Sequence, residues 1–271
     1  MRAPAFWYRP RGFLSTVLAP LGALYAAGTA RRLRRGARVK VGVPVICVGN
    51  INAGGTGKTP TTIALTERLR DRGLSVHVVT RGHGGALEGP VEVEELRHRA
   101  SDTGDEALLL AAFATTLVAK DRLAGARAAV AAGADVILLD DGFQNPALAH
   151  DLSIVVVDAH LGFGNGCVLP AGTLREPVDV GLRRADFVLS VGPDAAQERF
   201  SEAQGRDMPV PLLRGHLEPL PTGLPLAGLP VLAFAGIGNP EKFFATLRDL
   251  GTDLRAAHAL SDHQPLSDAL M

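Results

Sequence analysis

The chain has 271 residues, of which 46% are hydrophobic and 21% charged, a composition typical of globular proteins that excludes extensive disorder. Its 28 basic residues balance its 28 acidic residues, so net charge gives no reason to expect nucleic acid as a ligand. Two cysteines in a chain of this length do not make a disulfide framework, and a reducing compartment is the simpler interpretation.

The N-terminal part, residues 1–40, is predicted to associate with a membrane surface. Residues 13–30 carry no charge and are followed by a strongly basic flank at 31–40. A secretory signal has its cations before the apolar run, and none is predicted here. We expect an interfacial helix facing anionic lipid, with aromatic residues 6–8 at headgroup depth. The alternative is an ordinary helix packed on the core with a solvated basic end.

Residues 41–205 alternate apolar strands with helices. Because strands separated by helices pair in parallel and are covered on both faces, this pattern predicts a P-loop NTPase-like α/β fold. The predicted strands are 43–48, 74–79, 115–119, 136–139, 152–157 and 186–191, and the predicted helices are 60–72, 105–114 and 121–132.

Two further segments differ from this alternation. Residues 160–182 are rich in glycine and proline without a period, which predicts a long ordered loop of functional type. Residues 206–271 are predicted to form a smaller C-terminal lobe with a strand at 231–235 and a helix at 241–250.

A glycine-rich turn links the first predicted strand to a helix and ends in Gly57-Lys58-Thr59. In a P-loop the backbone N–H groups and the helix N-terminus surround phosphate oxygens, the lysine reaches the β- and γ-phosphates, and the following hydroxyl binds Mg²⁺. Asn52 occupies the place of the usual first glycine. The predicted nucleotide-binding residues are Asn52, Ala53, Gly54, Gly55, Thr56, Gly57, Lys58 and Thr59.

The apolar strand at 136–139 ends in Asp140-Asp141. An acid at the carboxyl end of a neighbouring strand is the partner feature of a P-loop, because it places a carboxylate beside the metal. The alternative is a capping pair at a turn. Asp105-Glu106 at the start of an apolar helix is, by itself, more typical of helix-dipole complementation, and His263 alone is a weak catalytic signal.

Taken in order, these motifs resemble the tetraacyldisaccharide 4'-kinase (lipid A 4'-kinase) family of Gram-negative bacteria. The resemblance runs from residue 6 to residue 263. Its most specific parts are Asp140-Asp141-Gly142-Phe143-Gln144 and the run from Leu169-Pro170-Ala171-Gly172 to Leu174-Arg175-Glu176-Pro177, and its further parts are Arg81-Gly82-His83-Gly84-Gly85, Gly104-Asp105-Glu106, Gly162-Phe163-Gly164-Asn165-Gly166 and Asp262-His263.

The resemblance implies an ATP- and Mg²⁺-dependent kinase that phosphorylates the 4'-hydroxyl of tetraacyldisaccharide 1-phosphate to give lipid IV-A. It implies a peripheral enzyme at the cytoplasmic face of the inner membrane, with no protein or nucleic-acid partner expected. Asp105 and His263 match the family's catalytic dyad, in which Asp105 would accept the proton of the sugar hydroxyl. Lys58 would stabilise the transferred phosphoryl. The residues expected to hold or orient the metal are Thr59, Asp140, Asp141 and Glu106, and those expected to support the site are Glu176, Gln144 and Arg81.

The family usually has tyrosine at His83 and often has proline at Thr173. It also continues for some tens of residues beyond its Asp-His motif, whereas this chain stops at Met271, so the C-terminal lobe is expected to be shortened. Two other functions fit the residues. The first is a P-loop switch or partitioning-type ATPase, although the sequence has no guanine-specifying Asn-Lys-x-Asp box. The second is an inactive lipid-binding protein.

Overall fold

A computed structural model describes residues 3–205, 208–220, 223, 225–236 and 240–260. It divides into two compact units. One contains Ala5–His216, and the other contains the described residues from Leu217 onward.

The larger unit begins with a 3₁₀ turn at Ala5–Tyr8 and helix α1 at Phe13–Arg34. Arg31, Arg32 and Arg34 lie in the last turn of α1, where cations complement the negative end of the helix dipole. Among the described residues, α1 is the helix that is long and apolar enough to cross a membrane, a property that some core helices and signal sequences share.

An eight-stranded sheet forms the centre of this unit, in the order β3-β4-β2-β5-β1-β6-β7-β8. All neighbouring strands pair in parallel except β3 with β4. The strands are β1 Val45–Gly49, β2 Val76–Thr80, β3 Val91–Glu92, β4 Thr115–Val118, β5 Val136–Asp140, β6 Leu152–Asp158, β7 Phe187–Val191 and β8 Leu212–Gly215.

Besides α1 and the 3₁₀ turn, the described part of this unit has helices on both faces of the sheet. They are α2 Lys58–Arg70, α3 Ala100–Thr103, α4 Asp105–Ala111, α5 Arg122–Ala131, α6 Val178–Leu182, α7 Asp194–Phe200 and a π-helical turn at Ser201–Gly205. Alternate residues of a strand point to opposite faces. Ile137 and Leu139 of β5 therefore pack in one core cluster with α5, whereas Leu138 packs in another with α2 and α4. This arrangement is the predicted parallel sheet covered on both sides.

The order of the strands positions the loops that carry chemistry. β1 lies between β5 and β6, and Val48 of β1 is level with Asp140 of β5. Since parallel strands present their carboxyl ends at one edge, the glycine turn after β1 and the acids after β5 meet there. Residues 159–177 contain neither helix nor strand. The loop predicted at 160–182 is therefore present up to residue 177, but its last five residues form α6.

Several element bounds differ from the sequence predictions. The helix predicted at 60–72 is Lys58–Arg70, because Gly57 already has a positive φ of 94° and Pro60 fits the first turn of a helix. The helix predicted at 105–114 ends at Ala111. Strands β3 and β8 and helices α3, α6 and α7 were not predicted, because each is too short to show a period.

The second unit contains β9 Pro230–Ala235, α8 Pro240–Asp249 and β10 Asp253–Ala259, with β9 and β10 in parallel. Phe244 of α8 is buried against Ala233 and Ala235 of β9. The predicted strand and helix are thus present, and β10 was not predicted.

Candidate active site

The glycine turn after β1 forms an open loop in front of α2. Gly54 and Gly57 have φ values of 116° and 94°, which favour glycine. A Cβ placed on Gly54 or Gly55 would meet no atom within 4 Å, so the concave side of the loop is open. The Asn50 side-chain amide donates to Gly54 O at 3.2 Å and to Thr56 Oγ1 at 3.1 Å. These bonds fix the loop from its buried side.

Three more of the predicted nucleotide-binding residues, Asn52, Ala53 and Thr59, lie in this loop or at the start of α2. Asn52 is buried, forms a bridge with Leu174 and donates from its side chain to Gly162 O at 3.0 Å. Ala53 N donates to Thr173 O at 2.7 Å. Thr59 is half-buried as the second residue of α2. The P-loop is therefore supported along one side by the loop at 159–177.

Side chains of opposite charge cluster at the N-terminus of α2. Lys58 Nζ is 3.6 Å from Asp141 Oδ1, and Arg175 Nη1 is 3.2 Å from the same oxygen. Burial tends to raise the pKa of Asp141, but Lys58 and Arg175 outweigh it and lower that pKa. Asp141 is thus an anion shared by two cations. Its φ of 49° is a left-handed conformation that few non-glycine residues adopt.

Asp140 lies deeper than Asp141 and is buried at the end of β5. Its carboxylate accepts from Thr62 Oγ1 at 3.3 Å and from Thr80 Oγ1 at 3.2 Å. Burial and then the charge of Glu106 raise its pKa to about 6. A cation between the carboxylates of Asp140 and Glu106 would relieve the repulsion between them.

Arg122 supports the backbone at Asp140. Its guanidinium is buried and donates to Ala119 O and Asp140 O, both at 3.1 Å. Burial lowers its pKa to about 10, so it remains a cation at neutral pH. This role of Arg122 was not predictable from the sequence, because an arginine at the start of an ordinary helix is unremarkable.

Glu176 belongs to a second ion pair on the other side of Gln144. Arg184 Nη2 lies 2.6 Å from both Glu176 carboxylate oxygens, and the Arg184 guanidinium stacks 4.4 Å from the centre of the Phe143 ring. Gln144 Nε2 donates to Glu176 Oε1 at 3.0 Å and to Asn50 O at 2.8 Å. Gln144 Oε1 accepts from Arg175 at 3.2 Å.

The two networks therefore form one chain of contacts, which runs from Lys58 through Asp141, Arg175, Gln144 and Glu176 to Arg184. The sequence predictions included Gln144 and Glu176 but omitted Arg175 and Arg184. Arg175 could have been found from its place next to Glu176, whereas Arg184 had no such signal.

Asp105 and Glu106 are exposed in the first turn of α4. The glycine-rich segment that follows β2 contacts the residues just before α4 and fixes their position. A Cβ on Gly104 would lie 2.4 Å from His83 O, and one on Gly82 would lie 2.7 Å from Thr103 O. These close backbone contacts hold the start of α4 against the carboxyl end of β2, the edge where the P-loop lies. Arg81 is exposed in the same segment, near enough to Arg122 to lower its pKa.

His263 lies outside the described residues, so its predicted place beside Asp105 stays a prediction. Among the described residues, no group of three or more His, Cys, Asp or Glu side chains could hold a metal ion. Mg²⁺ needs no such group in a nucleotide site, where it is held by one or two carboxylates together with phosphates and waters. The oxygen ligands at Thr59 and Asp140 fit that ion.

A parallel strand, a glycine-rich loop, a lysine at a helix N-terminus and an acid on the neighbouring strand define a P-loop protein that binds the phosphates of a nucleotide. The chain belongs to the tetraacyldisaccharide-1-P 4'-kinase family, whose model matches residues 14–271.

Relatives and a solved structure agree with this membership. The chain is 72% identical to the tetraacyldisaccharide 4'-kinase of Jannaschia sp. (strain CCS1), with 100% of this chain and 83% of the relative covered. It is 62% identical to that of Dinoroseobacter shibae, with 100% and 82% covered. The crystal structure of LpxK from Aquifex aeolicus in complex with ATP is similar at a TM-score of 0.75 and 27% identity, with 94% of this chain and 84% of that one covered. The predicted family, fold and ATP-dependent kinase activity are confirmed.

Proposed function

We propose that the chain transfers the γ-phosphate of ATP to the 4'-hydroxyl of tetraacyldisaccharide 1-phosphate and thereby makes lipid IV-A in lipid A biosynthesis. The observation that carries the proposal is the position of Lys58. It lies at the N-terminus of α2, beside the open loop and 3.6 Å from Asp141. This position suits a lysine that stabilises a transferred phosphoryl group.

ATP would bind with its phosphates against residues 52–59. Open space at Gly54 and Gly55 supports this, since a Cβ on either residue would meet no atom within 4 Å. Backbone N–H groups and the N-terminus of α2 favour negative charge there. Lys58 would then exchange its contact with Asp141 for the β- and γ-phosphate oxygens.

Thr59 and Asp140 are the residues we expect to hold Mg²⁺, with Asp141 and Glu106 nearby to orient it. When bound, the ion neutralises charge that develops on the transferred phosphoryl. The raised pKa of Asp140 supports this assignment. Burial and the neighbouring charge of Glu106 disfavour the Asp140 anion, and a bound cation would stabilise it.

Asp105 is our candidate for the base that accepts the proton of the 4'-hydroxyl, with His263 as the residue that orients it. Asp105 is exposed at the edge where the P-loop lies, next to Glu106, whose charge acts on Asp140. Exposure suits a base that must reach an acceptor arriving from outside. Arg175, Gln144, Glu176 and Arg81 would support the site from the loops around it.

Helix α1 would dock the enzyme on the cytoplasmic face of the inner membrane, where the acylated substrate is placed. Its large apolar side chains are exposed and are either adjacent or three or four positions apart, as on one face of a helix. They are Phe13, Leu14, Val17, Leu21, Leu24 and Tyr25. The basic last turn would face anionic headgroups.

Transfer of labelled γ-phosphate from ATP to tetraacyldisaccharide 1-phosphate tests the proposal on this chain. We expect transfer by the wild type, loss of at least about a hundredfold in Asp105→Asn, and near wild-type turnover in Asp71→Asn, an exposed acid at the far end of α2. ATP hydrolysis that ignores the lipid would instead indicate a P-loop ATPase. Lipid binding without transfer would indicate a binding protein.

A further inference from the structure

The loop at 163–174 contacts both α1 and the P-loop. Asn165 lies near its start, in the Gly162-Phe163-Gly164-Asn165-Gly166 motif to which the proposed reaction assigns no role. The contacts on the two sides of this loop join the membrane-facing helix to the nucleotide-binding loop.

The α1 side of the loop is held mainly by Asn165. Its side-chain amide donates to Ser15 Oγ at 3.0 Å and to Phe6 O at 3.4 Å, and its backbone N–H donates to Trp7 O at 2.8 Å. Ser15 is a buried hydroxyl in the first turn of α1, and the other buried residues of that helix are Gly22, Thr29 and Leu33. Arg11 adds bonds to the carbonyls of Asn165 and Gly166, both at 3.2 Å.

Asn165 also shapes the loop itself. The same amide donates to Ala171 O at 3.0 Å, and its Oδ1 accepts from Cys167 N at 3.0 Å. A Cβ on Gly172 would lie 2.1 Å from that Oδ1, so the Asn165 side chain fills the inside of the turn. The bonds that anchor α1 and the bonds that set the course of residues 167–172 thus depend on one side chain.

The far end of the loop pairs with the P-loop. Thr173 O accepts from Ala53 N at 2.7 Å, and Thr173 Oγ1 donates to Ala53 O at 3.2 Å. Arg175 N donates to Ile51 O at 2.7 Å. A shift of residues 171–174 would move the backbone next to Gly54, where the phosphates are proposed to bind.

We propose that Asn165 is a positioning residue that couples membrane docking of α1 to nucleotide binding at the P-loop. The inference rests on the proposed function, which supplies both ligands. Docking of α1 on lipid would favour one arrangement of Ser15, Asn165 and Thr173, and that arrangement would bind ATP more tightly. Because coupling between two sites is reciprocal, ATP would strengthen membrane binding by the same factor.

Trp7 provides the readout. It is the single tryptophan of the chain, and its Nε1 donates to Pro170 O, in the loop at 163–174, at 3.1 Å. Its fluorescence can be followed during titration with a non-hydrolysable ATP analogue and Mg²⁺. The titration is made without lipid, with vesicles of phosphatidylethanolamine and phosphatidylglycerol, and with vesicles of phosphatidylcholine alone.

For the wild type, we expect the analogue to bind about fivefold or more tightly when phosphatidylethanolamine–phosphatidylglycerol vesicles are present. Ser15→Ala should keep the lipid-free Kd within about twofold and lose the vesicle effect, because it removes the acceptor on α1. Asn165→Asp should also lose the vesicle effect, because it removes the donor. Thr16→Val is the matched control, since the Thr16 hydroxyl is exposed and bonds only within α1, to Gly12 O.

Equal affinity with and without vesicles in the wild type, or an undiminished vesicle effect in both variants, would overturn the coupling. Thermal unfolding followed by circular dichroism verifies that each variant folds, and Ser15→Ala removes one hydroxyl only. If the wild type binds vesicles and analogue independently, only the proposed coupling is contradicted. If the wild type does not bind the analogue, the proposed function is contradicted instead.

Discussion

Lys58 Nζ lies 3.6 Å from Asp141 Oδ1, so the lysine that is proposed to hold ATP phosphates contacts a carboxylate of the neighbouring strand. Arg175 shares that carboxylate at 3.2 Å. Asp141 therefore holds the Lys58 ammonium group in place at the N-terminus of α2. We expect bound phosphate to replace Asp141 as the anion beside Lys58, with Arg175 remaining as the cation for Asp141.

Lys58→Met should lower kcat/KM for phosphate transfer by about a hundredfold to a thousandfold, the loss typical of removing one donor to a developing charge. The measurement is steady-state transfer from ATP to the disaccharide lipid. Lys40→Met is the matched control, because Lys40 forms an exposed pair with Asp151 and such pairs contribute little. Equal activity of the two variants would contradict the role of Lys58.

Glu176→Gln should lower the free energy of unfolding by about 3 kcal/mol, because it leaves the partly buried Arg184 guanidinium without its anion. Glu176 is 2% exposed and Arg184 is 21% exposed. Asp179→Asn is the control within the same segment, since Asp179 and Arg183 are 67% and 74% exposed. That change should cost less than about 0.5 kcal/mol. Urea unfolding of both variants checks the difference, and equal costs would argue against a structural role for the buried pair.

His150 is expected to make stability depend on pH. Burial, then Arg184 and Arg38, lower its pKa to about 4, while Asp151 opposes the shift. Because the unfolded chain binds this proton near pH 6.5 and the folded chain only near pH 4, stability is lost as pH falls between these values.

His150→Gln removes this titration. Between pH 7 and pH 4 the free energy of unfolding of the wild type should fall by up to about 3 kcal/mol more than that of the variant. Denaturant unfolding at a series of pH values tests this. Parallel profiles of wild type and variant would show that His150 is protonated as easily in the folded chain as in the unfolded one.

Leu24→Asn should weaken binding to vesicles of phosphatidylethanolamine and phosphatidylglycerol by about tenfold, because it removes one large side chain from the apolar face of α1. Leu24 is 69% exposed, so folding stability should change by less than about 0.5 kcal/mol. Leu96→Asn is the control, since Leu96 is likewise an exposed leucine but does not belong to α1. Vesicle co-sedimentation measures both, and equal weakening would remove α1 as the docking surface.

The centre of the sheet and the P-loop were predictable because their signals are local. The strands β1 and β5 are unbroken apolar runs, and each ends in residues with a distinct conformation or charge, Gly49 and Asp140. A buried parallel strand needs no pattern from distant residues to be recognised. The family resemblance then supplied roles for Asp105 and Glu176 that their immediate surroundings did not.

The contacts that join these elements were not predictable. Arg122 reaches Asp140 O across 18 residues, and Asn165 reaches Ser15 across 150. Neither pair shows in a local period, because only the tertiary fold brings the partners together. The two-residue strand β3 and the four-residue strand β8 were missed for the opposite reason, since segments so short carry no detectable alternation.

A crystal structure of the chain with a non-hydrolysable ATP analogue and Mg²⁺ tests the central claim most directly. We predict triphosphate density against residues 52–59, with Lys58 Nζ on phosphate oxygens and Asp141 kept in contact with Arg175. Nucleotide bound elsewhere on the protein, or Lys58 still paired with Asp141 beside a fully occupied nucleotide, would contradict it.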